Sequence, residues 1–401
     1  MNSRERVMAA MNHCQPDRVP IDLSGHRSSG IAAIAYNKLR KHLQLPTKPI
    51  RVYDVIQQLA IVDEDVLERF QVDTIEMGRG FALEEDDWQE WPLPDGTPAL
   101  VPAWTKLERQ GNRWVILSEG GRELGHMPDG SLYFEQTYYP FAEKDDLGSL
   151  ADIFSESMWT SVASPPGPVD SETLREVAQQ LRQKSDRAII NLFGGNLFEI
   201  GTFLYRNDNF MMLLAADPQQ AHRFLDKLVE LHLANLEKFL ASVGEYIDVI
   251  LFGDDLGMQS GPIMSPQMYR EFFKSRHQVL WNRAKQLADV KVMLHCCGGV
   301  RELLGDLIEA GLDAINPVQI SCAGMEAAQL KADFGRDITL WGGGCDTRDI
   351  LPNATPQEVS EHVAEQIKIL NPGGGFVFQQ VHNIMANVPP ENIVAMFDAV
   401  N

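Results

Sequence analysis

Short apolar runs recur along the chain, and each ends at polar or glycine-rich residues that precede a helical pattern. Unbroken apolar runs such as Val-Ile-Leu-Phe at 249–252 are typical of parallel strands that are buried on both faces. Eight such runs lie at 18–25, 72–78, 187–196, 247–255, 290–299, 312–319, 337–344 and 374–383. Eight strands alternating with helices predict an α/β fold, a (β/α)8 TIM barrel made by residues 1–401 as one domain.

The interval between the second and third runs is too long for a single helical connection. Residues 84–140 are rich in Trp, Tyr and Pro, and Asp-Gly pairs stand at 95–96 and 129–130. An Asp-Gly pair between two segments in which apolar and polar residues alternate is a typical turn signal of a β-hairpin. We therefore expect residues 84–140 to form an antiparallel β-rich insertion after the second strand.

Composition and charge limit the partners and the compartment. The formal net charge of −21 argues against nucleic acid or an anionic membrane surface as the main partner. No apolar stretch approaches about 18 residues, so no membrane-spanning helix is expected. The N-terminal segment lacks the apolar core of a signal peptide, and five cysteines, two of them adjacent, make a poor disulfide framework. A reducing cytoplasm is the predicted setting.

Polar side chains that could take part in catalysis or metal binding cluster at the predicted strand ends, where barrels of this kind form their active sites. Three of the five cysteines and three of the ten histidines fall there, and these are ligands that Zn²⁺ prefers. The strand-end candidates are His26, Arg27, Glu76, Asn196, Asp254, Asp255, His295, Cys296, Cys297, Asn316, Gln319, Cys345, Asp346, His382 and Asn383.

The segment "VMLHCCGG" at 292–299 is the sharpest of these signals. Residues i and i+2 of a strand point the same way, so His295 and Cys297 can share a target while Cys296 points elsewhere. Alternate strands of a barrel contribute to the same interior layer, which makes Cys345 the expected third metal ligand, with His382 as a fourth. The alternative is that these are buried thiols beside a hydrogen-bonded histidine.

The remaining candidates divide by role. Asp254 and Asp255 are adjacent, so their side chains diverge; one is expected to act as an acid, a base or a substrate-orienting group, while the other caps a loop. The pair His26 and Arg27 either binds an anionic group of the substrate or is an exposed loop pair. Hydrogen bonds to the substrate are the role expected of Asn196, Gln319 and Asn383.

Taken together, these residues resemble the uroporphyrinogen decarboxylase superfamily over nearly the whole chain. The features that carry the resemblance are "ERVMAAMNHCQPDRVPID", "GDDLGMQSGPIMSPQMYREFFKSR", "HCCGGVRELLGDLIEAGLDAINPVQ", "WGGGCDT" and "VHNIMANVPPENI". The resemblance implies a (β/α)8 barrel and one of two chemistries, which are the decarboxylation of uroporphyrinogen and cobalamin-linked methyl transfer.

The methyltransferase branch is the closer of the two. True decarboxylases carry an Arg-rich "RQAGR" segment after the first strand, where this chain reads "LSGHRSSG" and keeps only Arg27. His295, Cys297 and Gly298 match the "H-x-C-G" motif of the methyltransferases. Their third cysteine ligand falls where this chain reads "NPGGGFVFQQVHN", so Cys345 or His382 would have to substitute.

The resemblance thus implies a zinc-dependent methyltransferase that moves a methyl group between a small methylated compound, or a thiol or folate acceptor, and a corrinoid protein. The cobalamin would be carried by that separate protein, because the chain has no Asp-x-His-x-x-Gly signature. The resemblance also suggests a homodimer. A decarboxylase and a non-catalytic barrel that binds a corrinoid or a metabolite are the alternatives.

Overall fold

The structure is a computed structural model and describes residues 1–80, 85–143, 145–153, 156–161 and 170–400. Its strands are β1 (Ile50–Asp54), β2 (Leu59–Ala60), β3 (Thr74–Glu76), β4 (Trp88–Pro92), β5 (Pro98–Pro102), β6 (Lys106–Gln110), β7 (Arg113–Leu117), β8 (Glu123–Pro128), β9 (Glu135–Gln136), β10 (Ala188–Gly194), β11 (Val249–Gly253), β12 (Gly257–Met258), β13 (Gly261–Pro262), β14 (Lys291–His295), β15 (Ala314–Asn316), β16 (Thr339–Trp341) and β17 (Phe376–Val377). Its helices are α1 (Ser3–Met11), α2 (Ala33–His42), α3 (Glu64–Arg69), α4 (Leu150–Ile153), α5 (Met158–Ser161), α6 (Ser171–Lys184), α7 (Phe198–Tyr205), α8 (Asn207–Ala216), α9 (Pro218–Val243), α10 (Pro266–Tyr269), α11 (Ser275–Leu287), α12 (Arg301–Glu309), α13 (Ala327–Phe334), α14 (Ile350–Asn353), α15 (Pro356–Leu370) and α16 (Pro390–Asp398).

Seven strands form a parallel sheet in the order β17-β16-β15-β14-β11-β10-β3. They fall within seven of the eight predicted runs, so the α/β class and the parallel pairing are confirmed. The strands are shorter than the runs because regular pairing stops where the glycine-rich and polar segments begin. Those segments are therefore loops at the carboxyl edge of the sheet.

The first predicted run, residues 18–25, forms an isolated parallel bridge from Ile21 to Phe378 in place of a full strand. The Asp22 N–H donates to the Phe378 carbonyl at 2.8 Å, beside β17. On its other side, the Ile21 carbonyl accepts from the Asp73 N–H at 2.8 Å, beside β3. The segment is thus hydrogen-bonded to the chain next to both edge strands of the seven-stranded sheet.

The two faces of the sheet pack into two separate apolar clusters. The smaller cluster joins α1 to one face of the strands through Val7, Ala10, Met11, Ala188, Ile190, Val249, Leu251, Met293, Ala314, Trp341 and Val377. We call this the inner face; neighbouring residues such as Leu294 and Phe252 belong to the larger outer cluster with the helices. This alternation decides which strand-end side chain points to which face.

Antiparallel pairs occupy the residues between β3 and β10. Strand β4 pairs with β5, and β6, β7, β8 and β9 pair successively. Strand β1 joins this region by pairing in parallel with β5, and no sequence signal pointed to that contact. The first residue of the predicted insertion, 84, lies outside the described residues.

Side-chain caps begin two of the helices. Thr355 and Glu358 form a capping box at the start of α15, and Ser265 caps α10. Among the described helices, none combines the length and the apolar character that crossing a bilayer requires.

Candidate metal centre

Three potential metal ligands meet at the carboxyl edge of the sheet: His295 at the end of β14, Cys297 in the loop after it, and His382 after β17. One ligand atom from each lies within 4.8 Å of the other two. All three side chains are half-buried, so the group faces a partly open space. The Cys297 Sγ lies 3.4 Å from the His295 Nε2.

The alternation of side chains along β14 explains why Cys297 and not Cys296 joins this group. Met293 belongs to the inner cluster, which places His295 on the same face. Cys296 belongs to the outer cluster, and its sulfur accepts a hydrogen bond from the Leu256 N–H at 3.3 Å. The side chains of Cys296 and Cys297 therefore point to opposite faces of the sheet, as predicted.

A chain of amide side chains sets the tautomer of His295. The Asn316 Nδ2 donates to the Gln379 Oε1 at 2.7 Å, and the Gln379 Nε2 donates to the Ser28 carbonyl at 2.9 Å. The Asn316 Oδ1 is therefore the acceptor for the His295 Nδ1, 3.0 Å away. With its proton on Nδ1, the ring presents the Nε2 lone pair towards Cys297, as metal-ligating histidines do.

The spacing and the donor types fit Zn²⁺. Tetrahedral zinc, with Zn–S near ~2.3 Å and Zn–N near ~2.0–2.1 Å, separates a sulfur and a nitrogen ligand by about 3.5 Å. The observed 3.4 Å between Cys297 Sγ and His295 Nε2 matches that edge. Two imidazoles and one thiol leave a fourth position for water or substrate, which is the arrangement of catalytic zinc sites.

Burial keeps the two histidines of the group neutral. Burial, together with the repulsion that a charged His382 would meet from charged His295 and His26, lowers the pKa of His382 to about 3. Burial also lowers the pKa of His295. The same burial, together with the negative charge of Asp255, raises the pKa of the Cys297 thiol well above its usual range. The imidazole lone pairs are available to a metal, and a bound metal would displace the thiol proton.

Asp255 lies beside the cluster, whereas Asp254 points away from it. The Asp255 Oδ1 accepts from the Cys297 N–H at 2.7 Å and lies 3.7 Å from the His295 Nε2. Its side chain is 39% exposed, so it borders the open space next to the three ligands.

Asp254 is fully buried and holds the start of helix α7. Its carboxylate accepts from the N–H groups of Leu197, at 3.0 Å, and Glu199, at 2.9 Å. The His277 Nε2 donates to its other side at 2.9 Å. Asp254 therefore caps the start of a helix, and Asp255 is the one of the two that borders the open space.

Cys345 does not join the three ligands. It is fully buried in the outer cluster, and its thiol faces the Asp346 carbonyl at 3.8 Å. The reason lies in the loop after β16, where Gly342 and Gly343 both have positive φ, at 98° and 78°. These turns break the alternation that starts from the inner-face residue Trp341. The expectation that Cys345 supplies the third ligand does not match this geometry.

His26 and Arg27 are not an exposed loop pair. The His26 ring is fully buried, accepts from the Ser28 N–H at 3.3 Å through Nδ1, and turns Nε2 to within 3.2 Å of the Asp22 carboxylate. Arg27 is 18% exposed and lies 3.6 Å from Asp54, with the charge of Glu76 also close by. The charge of Arg27 is thus balanced by carboxylates of the protein.

The three predicted substrate-binding amides make contacts within the protein. Asn383 is buried and accepts from the Gly30 N–H at 2.8 Å, which fixes the loop that carries Ser28. Gln319 accepts from the Gly298 N–H at 2.8 Å and so supports the loop after β14. Asn196 donates to the Glu199 carboxylate at 2.5 Å. Each of them positions a loop at the carboxyl edge of the sheet.

Glu199 carries a carboxyl group next to Asp255 that the strand-end reasoning missed. It lies in the first turn of α7, three residues after Asn196, which is one of the strand-end candidates. The Asp255 N–H hydrogen-bonds its carboxyl group. Burial raises the pKa of Glu199 well above its usual range, and the charges of Asp255 and Asp254 raise it further. The sequence signal that could have identified Glu199 is the segment "NLFE" at 196–199, which places a glutamate just after an apolar run.

Comparison with known proteins identifies relatives of two kinds. The family described as "Uroporphyrinogen decarboxylase (URO-D)" matches residues 151–401. A methylated-thiol–coenzyme M methyltransferase of Methanosarcina mazei is 29% identical over 160 residues, which are 40% of each chain. A uroporphyrinogen decarboxylase of Legionella pneumophila is 23% identical over 245 residues, 59% of this chain and 65% of the relative. The chain thus spans 40 to 65% of the length of these two relatives.

A solved structure shares the fold over the whole chain. It is described as a methyltransferase from Methanosarcina mazei and superposes with a TM-score of 0.61 at 18% sequence identity. The superposition covers 100% of this chain and 98% of the other. At this identity the likeness concerns the fold alone.

Proposed function

Because the chain belongs to the uroporphyrinogen decarboxylase family, we propose that it is a zinc-dependent methyltransferase. It moves a methyl group between a small methylated compound, or a thiol or folate acceptor, and a corrinoid protein. The observation that carries the proposal is the group of His295, Cys297 and His382, whose ligand atoms lie within 4.8 Å of one another. The similarity to a coenzyme M methyltransferase, at 29% identity, supports it.

The proposed zinc ligands are His295, Cys297 and His382. A zinc ion held there would lower the pKa of a bound thiol or polarise a heteroatom of the substrate. Asn316 orients the His295 ring from behind, and Asp255 fixes the backbone of Cys297 through its N–H group. Asp255 also presents a half-exposed carboxylate to the space in which the substrate would bind.

We further infer that the chain is a (β/α)8 barrel of one domain, 1–401, in which residues 18–25 take the place of the eighth strand. The hydrogen bonds of Ile21 and Asp22 beside β3 and β17 support this. Residues 84–140 are proposed as an insertion after the second strand of that barrel, supported by the antiparallel pairs from β4 to β9.

The proposal includes a partner and a setting. The cobalamin is carried by a separate corrinoid protein that docks at the carboxyl edge of the sheet, where Asp255 and the three ligands are partly exposed. A cytoplasmic location and a homodimer belong to the same proposal.

A decarboxylase is the second candidate, since several relatives carry that name. Holding the carboxylates of uroporphyrinogen requires unpaired cationic side chains. Arg27, the strand-end arginine, is instead balanced by Asp54 and Glu76. This charge balance favours methyl transfer over decarboxylation.

Two assays on zinc-loaded protein decide between the candidates. The first follows methyl transfer by absorbance, with methylcobalamin and a panel of thiols in one direction and cob(I)alamin and methylated thiols or ethers in the other. The second measures CO2 release from uroporphyrinogen. We expect methyl transfer and no CO2. Turnover of uroporphyrinogen at about 1 s⁻¹ or faster, without methyl transfer, would reverse the assignment.

A further inference from the structure

We propose that Glu199 is the proton donor to the leaving heteroatom of the methyl donor. The inference rests on the proposed methyl transfer and narrows its substrate class. The donor would be a methyl ether or methyl thioether, whose heteroatom leaves as a basic anion, and not a quaternary ammonium compound, whose amine leaves neutral.

Asp255 connects Glu199 to the proposed metal ligands. Its backbone N–H hydrogen-bonds the Glu199 carboxyl group, while its side-chain Oδ1 accepts from the Cys297 N–H at 2.7 Å. The same Oδ1 lies 3.7 Å from the His295 Nε2. One residue thus contacts both groups, so the Glu199 carboxyl group and the ligands flank the same aspartate.

The surroundings of Glu199 hold its side chain in one position. Asp254 accepts the Glu199 N–H at 2.9 Å and so fixes the first turn of α7. Asn196 donates to the Glu199 Oε2 at 2.5 Å. Gly253 is part of this arrangement, because a Cβ there would lie 2.4 Å from the Asn196 Nδ2. A carboxyl group held by the Asn196 amide and the Asp255 N–H is pre-positioned for proton transfer.

The charges around Glu199 favour its protonated form. Asp255 and Asp254 on the loop after β11 face it with negative charge, and the thiols of Cys296 and Cys297 after β14 lie within its electrostatic reach. Burial and the two carboxylates raise the pKa of Glu199 well above its usual range. A buried carboxylic acid whose pKa is raised in this way is suited to general acid catalysis.

The bond between the methyl carbon and the heteroatom breaks, and its electron pair stays on the heteroatom, which takes the proton from the Glu199 carboxyl group. The methyl carbon forms its new bond with an electron pair supplied by the acceptor, a reduced corrinoid, which is formally oxidised by two electrons. The Glu199 carboxylate then regains a proton from water.

The test compares Glu199→Gln with wild-type protein on two methyl aryl ethers, with cob(I)alamin as the acceptor. Methyl phenyl ether has a basic leaving group and methyl 4-nitrophenyl ether a weakly basic one. We expect Glu199→Gln to slow the first about 100-fold or more, within the range of general acid catalysis, and to change the second less than about 3-fold. The exposed Glu245→Gln is the matched control and should change neither.

Two further readouts exclude a merely structural role. The wild-type rate with methyl phenyl ether should fall as the pH rises through the pKa of Glu199, and Glu199→Gln should lose that limb. In infrared spectra of the resting protein near neutral pH, a protonated carboxyl band should be present in wild type and absent in Glu199→Gln. Zinc content should be equal in both, because Glu199 is not among the proposed ligands.

The outcomes separate the two claims. No methyl transfer by wild type from any ether or thioether would overturn the proposed function and this inference with it. Transfer by wild type, with equal losses for both ethers in Glu199→Gln or no carboxyl band, would overturn the role of Glu199 alone. Faster transfer from a tetraalkylammonium donor than from any ether or thioether would overturn the substrate class.

Discussion

The loops that follow β14 and β16 both leave a buried strand, contain glycine and carry a cysteine, yet they place their thiols differently. After β14 the side chains keep the strand alternation, and Cys297 lies 3.4 Å from the His295 Nε2 on the inner side. After β16 two successive glycines with positive φ turn the chain, and Cys345 is buried in the outer cluster. A cysteine just after a strand becomes a candidate ligand only where the side chains keep alternating between the two faces beyond the last paired residue.

The strongest test of this comparison replaces each thiol in turn. Cys297→Ser should weaken zinc binding more than about 100-fold, beyond the range of indirect effects, since a serine hydroxyl does not replace a thiolate. Cys345→Ser should leave zinc affinity within about 2-fold, because its sulfur lies against the Asp346 carbonyl. Competition with a zinc-binding dye measures both. Equal losses would mean that both loops supply ligands.

The support behind the first loop is tested by Asn316→Leu. This change removes the acceptor for the His295 Nδ1, 3.0 Å away, and with it the control of the tautomer. Zinc affinity should fall about 10- to 100-fold, as for other residues that orient a metal ligand. The far-ultraviolet circular dichroism of the variant shows whether it is folded. Unchanged affinity in a folded variant would show that Asn316 does not orient the ring.

The turn in the second loop is tested by Gly343→Ala. An alanine at φ 78° is strained by about 1–2 kcal/mol, and its Cβ would lie 3.0 Å from the Val318 carbonyl oxygen. The free energy of unfolding should fall by about that amount in denaturant titrations. Gly305→Ala is the matched control, because Gly305 lies inside α12 with open space around it. It should stabilise the protein by about 0.5–1 kcal/mol.

The smallest effect is expected for Cys296→Ser. Cys296 accepts the Leu256 N–H at 3.3 Å on the outer side, and a serine oxygen can accept the same bond. Zinc affinity should change less than about 3-fold, well below the loss expected when an orienting residue is removed. The dye competition used for Cys297→Ser applies here too. A larger loss than that of Cys297→Ser would invert the assignment of the two faces.

Patterns that depend on neighbouring residues could be read from the sequence. Apolar runs predict the seven strands of the parallel sheet, and the period of two along β14 predicts that Cys296 and Cys297 point to opposite faces. The divergence of Asp254 and Asp255 follows from the same period. These features depend on backbone geometry that neighbouring residues alone determine.

Features that depend on distant contacts could not be read in this way. Which aspartate caps a helix depends on α7 and on His277, both far from it in the sequence. The position of Cys345 depends on the φ angles of two glycines, a residue type that adopts either sign of φ with similar ease. The raised pKa of Glu199 also depends on distant contacts, because Asp254 and Asp255, which surround it, come from another loop.

The central claim is that a zinc ion is held by His295, Cys297 and His382. Zinc K-edge X-ray absorption of the zinc-loaded protein counts the sulfur ligands directly. The account predicts one sulfur near ~2.3 Å and at least two nitrogens near ~2.0–2.1 Å. A first shell with two sulfurs, reduced to one in Cys345→Ser, would place Cys345 on the metal and contradict the account.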